Sequence, residues 1–239
     1  EKTHDGFTTA VESEFGNAKV KSTWTDDELH AQCFAFFFAG FDTVSTVMQF
    51  VAYELLRQPE ILKKLQKEID EVSRSLNGKE ITYDHIQGMK YMDMVVSETL
   101  RMWPPAPVIE RLCVRDFSLE FDDKKVDFEV GESLYIPIYS LHRDSRYFQD
   151  PDRFDPERFS DENKGKINRD TYMPFGIGPR NCIGSRFALL EVKTNFYYLL
   201  LNFNFEATER TQIPAKFANN QAMIQMENGL HLALVPRVK

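Results

Sequence analysis

The chain has 239 residues, 42% of them hydrophobic, which is enough apolar material for the core of one large domain or two small ones. Its net charge of -8 argues against nucleic acid as a partner. The three cysteines, Cys33, Cys113 and Cys182, are widely spaced and form no C-x-x-C pair, which argues against a zinc site or a disulfide framework. No signal peptide is evident, and the longest uninterrupted apolar run, residues 33 to 41, is too short to cross a bilayer.

The N-terminal part of the chain predicts a loop followed by a long helix. Residues 1–23 are polar and aperiodic, which is typical of a loop. Thr25 and Glu28 have the spacing of a capping box, so a helix should begin at Asp26 and continue to Arg57. Its middle, "CFAFFFAGF", is apolar on every face, which predicts a helix buried on all sides.

The rest of the chain predicts more helices with small sheets between them. Pro59 opens a helix that Asn77-Gly78 closes, and a second helix from Lys90 to Trp103 is ended by Pro104-Pro105. A third follows Cys182, from about Ser185 to Asn202. The alternating runs "RLCV", "FSLEF", "VDF" and "SLYI" predict short strands, and "FQDPDRFDPERF" predicts a well-packed loop. The end, "AMIQMENGLHLAL", predicts a hairpin with its turn at Asn228-Gly229. We therefore expect a mainly α fold with small accessory β-sheets, in a single domain over residues 1–239.

One cysteine lies in an unusually constrained loop, "PFGIGPRNCIGSRFALL", directly before the last predicted helix. The free N–H groups and the dipole at the start of that helix favour a thiolate at Cys182. Gly178 and Gly184 allow the backbone to approach a bulky group, and Arg180 suits an anionic group near the sulfur. A haem ligated through cysteine would use all of these features. Two alternatives stay open here: an inert buried thiol, and a nucleophilic cysteine with a basic histidine beside it.

The pattern F-x-x-G-x-R-x-C-x-G resembles the haem-binding loop of cytochrome P-450 enzymes, and it is filled by Phe175, Gly178, Arg180, Cys182 and Gly184. Further segments resemble motifs of that family in the same order: "AGFDT" with Gly40, Asp42 and Thr43, "ETLR" with Glu98 and Arg101, and "PERF" with Arg158. The text around them is similar to insect microsomal members. The resemblance implies a cytochrome P-450-like fold and haem b with Cys182 as the iron ligand.

Only the C-terminal half of that fold has a counterpart here. The family has an N-terminal membrane anchor and an upstream helix with W-x-x-x-R, but neither Trp24 nor Trp103 has an arginine four residues on. We therefore expect a partial sequence that is inactive by itself.

The resemblance implies roles for the other motif residues. Asp42 and Thr43 would relay protons, although a hydroxyl bonded to the carbonyl four residues back is the plainer interpretation. Glu98, Arg101 and Arg158 would form a buried structural network, whereas Glu98 and Arg101 alone suggest a surface ion pair.

The remaining expectations concern the haem carboxylates and the substrate. Arg111 would lie near a haem propionate beside Arg180, or else be an ordinary solvated arginine of a strand. Residues at family positions that face substrate are Phe38, Ala39, Ala106, Pro107 and Ala222.

The implied function is that of a haem-thiolate monooxygenase, which inserts one oxygen atom from O2 into an apolar small molecule. Electrons would come from NADPH through a flavin-containing reductase, and the enzyme would lie at the cytoplasmic face of the endoplasmic reticulum membrane. A haem-thiolate isomerase or dehydratase, and a haem carrier without turnover, are the alternatives. We expect the reductase to meet a segment rich in basic residues, namely Lys164, Lys166, Arg169, Arg180, Arg186 and Lys193.

Overall fold

The computed structural model describes residues 8–11, 20–219 and 223–238. The chain divides into two units, residues 1–43 and 44–239, and the boundary falls inside one continuous helix. Each unit is described by itself, and the single domain remains a prediction.

The first unit begins with two short strands, β1 (Thr8–Val11) and β2 (Val20–Thr23), which pair antiparallel with Thr8 opposite Thr23. The prediction of a loop over residues 1–23 is therefore wrong for these two strands. Strands of four residues are too short to show a clear alternation, and their pairing is a tertiary event that composition does not reveal.

The long helix α1 (Asp26–Arg57) starts at the predicted residue. The Thr25 N–H donates to Glu28 Oε2 at 2.8 Å, and the Glu28 N–H donates to Thr25 Oγ1 at 3.2 Å. These reciprocal bonds satisfy two of the free donors at the helix start, so the predicted capping box is confirmed.

The burial of α1 differs from the prediction along its length. From Val44 onward the helix is buried, with Phe50, Val51 and Leu55 fully inaccessible. In its first half Phe34 and Phe37 are 67% and 68% exposed, so burial on all sides is wrong for this segment. A helix with apolar side chains on every face needs packing partners around its whole circumference, and the described chain does not supply them there.

By length and composition alone, α1 is also apolar enough to cross a membrane, with 28% of its most apolar window buried. This criterion allows interruptions, so it does not bear on the short uninterrupted run of residues 33–41. The helix meets it because Asp42 is the one charged residue near its middle. A core helix of a soluble protein meets the same criterion.

The described residues of the second unit contain the end of α1 and five further α-helices: α2 (Pro59–Ser75), α3 (Tyr83–Gly88), α4 (Lys90–Met102), α5 (Ile138–His142) and α6 (Ser185–Asn202). The helices predicted at α2, α4 and α6 are confirmed. The core lies among them and includes Leu65, Ile69, Met92, Val95 and Leu200. The prediction missed α3 and α5 because five or six residues show no helical period; the Thr82–His85 capping box was the one local signal for α3.

Two small sheets follow α4. The outer pair is β3 (Ile109–Leu112) with β6 (Ser133–Ile136), and the inner pair is β4 (Phe117–Phe121) with β5 (Lys124–Phe128). The predicted strands are confirmed, except that the first, expected at "RLCV", lies two residues earlier, at Ile109–Leu112. The Asp-Pro-rich segment is irregular, as predicted, with a short 3-10 helix at Pro156–Phe159, and a second one follows it at Lys164–Lys166.

The C-terminal sheet pairs β7 (Phe203–Ala207) with β8 (Leu232–Pro236), in register Phe205 to Leu234. The predicted local hairpin is therefore wrong, although Gly229 does adopt a left-handed turn conformation with φ +66°. The last strand pairs with the chain that leaves α6, some 25 residues earlier. A strand's alternation shows that it needs a partner and does not say which one.

Candidate functional site

Cys182 lies in a loop that closes on itself just before α6. The Cys182 N–H donates to Phe175 O at 2.8 Å, and the Asn181 N–H donates to Gly178 O at 3.1 Å. Gly184 forms the N-cap of α6, two residues after the cysteine, and the Cys182 side chain is exposed. The loop therefore presents a thiol to its surroundings at the positive end of an 18-residue helix. The described residues therefore do not bury this thiol.

The glycines of the loop differ in backbone conformation and in the space around them. Gly176 and Gly178 have φ of +70° and +79°, which other residues adopt only with strain. A Cβ on Gly176 would lie 3.4 Å from Ile109 Cδ1, so the loop packs closely on β3. Gly184 has an ordinary φ of -91°, and a Cβ there would meet nothing within 4 Å. The described chain thus leaves open space at Gly184, where a bulky external group could approach.

The side chains around Cys182 fit a large, flat and mainly apolar group. Ile183 is 85% exposed and Phe187 is 69% exposed, and Ile177 is exposed as well. Apolar side chains that stand in solvent on both sides of a thiol indicate a surface that something apolar covers. Among the described residues, no group of three His, Cys, Asp or Glu side chains is placed to hold a metal ion by itself.

Two arginines border this loop. Arg180 is exposed, two residues before the cysteine. Arg111 is partly exposed on β3, the strand that the loop contacts, and its Nη1 donates to Glu110 O at 2.8 Å. The second unit thus carries an accessible thiol, glycines and two cations in adjoining segments, which is the donor set that haem and its carboxylates require.

A buried ion network lies beneath the loops that lead to the cysteine. Glu98 accepts from Arg101 Nε at 2.7 Å and from Arg101 Nη2 at 2.9 Å, and both side chains are fully buried. Arg158 Nε reaches Glu98 Oε1 at 3.3 Å, and the Asp155 N–H donates to the same oxygen at 2.8 Å. The structure therefore brings Glu98, Arg101 and Arg158 together, and it excludes the exposed ion pair.

Asp42 and Thr43 belong to the first unit. The Thr43 hydroxyl donates to Ala39 O, four residues back, at 2.7 Å. The helix continues without interruption through Gly40. The structure thus contains the bond from the hydroxyl to the helix backbone that the plainer interpretation requires. The relay of protons remains a prediction.

The residues expected to face substrate are distributed over both units. Phe38 and Ala39 are exposed on α1, while Ala106 is exposed and Pro107 partly exposed after α4; Ala222 lies outside the described residues. Near that position, the Ile224 N–H donates to Pro105 O at 3.2 Å, so the chain after residue 222 lies beside the end of α4.

The basic segment expected to meet a reductase is less basic at its surface than the sequence suggests. Lys193 is buried, and its Nζ lies 2.5 Å from Asp93 Oδ1. It therefore cannot contribute to a docking surface, because helix α6 turns this position toward α4. Lys164 pairs with Asp161 at 2.6 Å. The cations of the segment that stay exposed without an ion pair in the described chain are Lys166, Arg169, Arg180 and Arg186.

His142 is a functional candidate that the sequence did not single out. It is fully buried at the end of α5, and its ring lies between Arg101 O, 3.1 Å from Nδ1, and the Met173 N–H, 3.0 Å from Nε2. Burial lowers the pKa of His142 to about 4. No pattern of neighbouring residues marked it, because both partners are backbone groups from distant segments.

The comparisons with known proteins agree with this geometry. The family model described as Cytochrome P450 matches residues 1–233. The chain is 44% identical over 227 residues to "Probable cytochrome P450 9f2" of Drosophila melanogaster, covering 95% of the chain and 44% of that protein. It is 46% identical to "Cytochrome P450 9e2" of Blattella germanica (93% of the chain, 41% of that protein) and 44% identical to "Cytochrome P450 3A41" of Mus musculus (89% and 41%). The chain thus spans less than half the length of these relatives, and it belongs to the cytochrome P450 family.

Proposed function

We propose that the protein to which this chain belongs is a haem-thiolate monooxygenase acting on an apolar small molecule. The observation that carries the proposal is the exposed Cys182 thiol at the start of α6, in a glycine loop flanked by exposed apolar side chains. Membership of the cytochrome P450 family supports it.

Cys182 would be the protein ligand to the iron of haem b. The helix dipole of α6 favours its thiolate, and the bond from its N–H to Phe175 O holds its backbone in place. Arg180 and Arg111 would bind the haem carboxylates, since both cations border the loop. When bound, haem supplies the activation of O2, which electron donation from a cysteine thiolate favours.

Thr43 and Asp42 would deliver the protons that the reaction consumes. The Thr43 hydroxyl donates its proton to Ala39 O, which leaves the lone pairs of Oγ1 free to accept from a water molecule. A water held in this way can pass a proton onward, and the Asp42 carboxylate can take up the next proton from solvent and donate it to the relay.

This pair also bears on the alternative functions. A haem-thiolate isomerase or dehydratase rearranges its substrate without O2, and a haem carrier turns nothing over, so neither needs a proton relay. Consumption of NADPH that depends on added substrate would distinguish the monooxygenase from both.

A flavin-containing NADPH reductase would deliver electrons at the exposed cations Lys166, Arg169 and Arg186, at the cytoplasmic face of the endoplasmic reticulum membrane. Electrostatic steering by such a surface speeds encounter and weakens with salt. In a Lys166→Glu, Arg186→Glu double variant of the full-length protein, reduction should slow and its salt dependence should flatten. Lys79→Glu, at an exposed turn after α2, is the matched control. Equal rates and salt slopes in all three proteins would exclude this surface.

The assignment of Cys182 is tested by replacing each of two exposed cysteines, Cys182 and Cys33, by alanine in turn. In the full-length protein, Cys182→Ala should abolish the thiolate-type absorption of the reduced carbon monoxide complex, whereas Cys33→Ala should keep it. A thiolate-type signal that survives Cys182→Ala would overturn the proposal.

A further inference from the structure

The buried ion network does not itself touch the cysteine loop. In the described part of the chain, hydrogen bonds from the side chains of Arg101 and Arg158 reach the backbone of residues 142 to 153, and Glu98 accepts from the backbone of Asp155. These contacts order the segment after α5. None of these contacts reaches residues 174–184, which hold Cys182, so another residue must connect the two segments.

His142 connects the two regions through three hydrogen bonds. Its backbone carbonyl accepts from Arg101 Nη1 at 2.7 Å, and its ring Nδ1 lies 3.1 Å from Arg101 O. The other ring nitrogen, Nε2, lies 3.0 Å from the Met173 nitrogen. His142 is thus bonded to the Arg101 side chain, to the Arg101 backbone and to the residue directly before the cysteine loop.

The chemistry of the two partners determines the form of the ring. A carbonyl oxygen can only accept, so Nδ1 must carry the proton toward Arg101 O. A backbone N–H can only donate, so Nε2 must present its lone pair to Met173. Both conditions are met by one neutral tautomer, and the lowered pKa of His142 keeps the ring in that form at neutral pH.

From Met173 the contacts continue into the loop. Met173 O accepts from the Gly176 N–H at 2.9 Å, and Phe175 O accepts from the Cys182 N–H at 2.8 Å. The His142 ring itself is held by Tyr172, stacked at 5.4 Å between ring centroids, and by Phe148 at 6.2 Å. A displacement of the ring would therefore move the base of the loop and not only the core around it.

We propose that His142 is a positioning residue that couples the buried Glu98–Arg101–Arg158 network to the cysteine loop by holding the Met173 N–H. The consequence for ligation of an iron by Cys182 rests on the function proposed above. The hydrogen-bonded link to the loop does not.

The test compares two replacements of the ring in the full-length protein. His142→Phe keeps the shape and the stacking but removes both polar contacts, while His142→Gln keeps one donor and one acceptor. Leu100→Ala, at a buried position of α4, is the control for a general loss of stability. Hydrogen exchange of residues 173–182 is measured in all variants, together with the thiolate-type fraction of the reduced carbon monoxide complex.

We expect His142→Phe to speed exchange in residues 173–182 about ten-fold or more beyond the change in Leu100→Ala, since a buried N–H is left without its acceptor. The thiolate-type fraction should fall in parallel, and His142→Gln should restore both. If His142→Phe and Leu100→Ala are alike in both measurements, the proposal is wrong.

Two further outcomes are also decisive. If His142→Phe cannot be recovered folded, His142→Ala takes its place in the comparison with Leu100→Ala. Faster exchange of residues 173–182 in His142→Ala than in Leu100→Ala supports the link, and equal exchange in the two variants overturns it. If no protein, the parent included, shows a thiolate-type signal, the function of Cys182 is wrong, and the exchange data still decide the role of His142.

Discussion

Replacing Arg101 by methionine should cost far more stability than the loss of an ordinary ion pair. The guanidinium makes a two-bond contact to the Glu98 carboxylate, at 2.7 and 2.9 Å, and donates to the His142 carbonyl at 2.7 Å. Both side chains are fully buried. In Arg101→Met the volume is roughly kept, while Glu98 retains only Arg158 and one backbone donor.

The size of the effect follows from the charge that is left behind. Breaking a buried ion pair from one side destabilises by roughly 3–5 kcal/mol, because the remaining charge loses its partner away from water. Glu98 keeps Arg158 at 3.3 Å, so we expect a cost near the lower end of that range. The double variant Glu98→Leu, Arg101→Met removes the carboxylate and leaves Arg158, whose side chain is 12% exposed and still donates to the carbonyls of Asp150 and Arg153. It should therefore be more stable than Arg101→Met alone, even though it carries one more substitution.

The assay is chemical denaturation of the full-length protein followed by circular dichroism. Arg146→Met is the matched control, because Arg146 forms a short ion pair with Asp144 but is exposed, and its loss should stay within the error of the measurement. The reasoning is refuted if Arg101→Met behaves like Arg146→Met. A double variant no more stable than the single one would show that the stranded carboxylate is not the cause.

Three further predictions follow from single contacts. The pKa of His142 is about 4 in the folded chain and near its ordinary value of 6.5 when unfolded, so the unfolded state binds more protons between these pH values. The free energy of unfolding should therefore fall by about 3 kcal/mol as the pH drops from 6.5 to 4. A denaturation series against pH should show this slope in the parent and not in His142→Gln. Thr43→Ala should raise the share of electrons released as hydrogen peroxide without changing haem content, and Thr43→Ser should not; equal coupling in both would restrict the hydroxyl to its bond with the helix backbone. Lys193→Glu should lower the denaturation midpoint much more than Lys193→Met, since it places a buried negative charge against Asp93, and equal midpoints would contradict the buried pair.

Local signals placed most helices correctly, as well as the strands of the two small sheets that follow α4. The capping box of Thr25 and Glu28 defined the start of α1, and Pro59 defined the start of α2. Such signals succeed because a helix end is stabilised by donors and acceptors only three or four residues away. The cysteine motif could be identified in the sequence for the same reason, because its glycines and its thiol lie within one short loop.

What the tertiary structure alone decided are the partners of groups that lie far apart in the chain. It paired β8 with β7 instead of with the residues just before β8, and it turned Lys193 inward to Asp93. It also placed His142 between a backbone carbonyl of α4 and the N–H of Met173, directly before the cysteine loop. It also left the phenylalanines of the first half of α1 exposed, although their pattern indicates a buried helix. The sequence by itself determined the longer helices, the strands after α4 and the loop that carries the thiol, because those choices depend on local hydrogen bonds and backbone conformation. Which buried group meets which depends on the packing of whole elements against one another, and no short stretch of sequence contains that information.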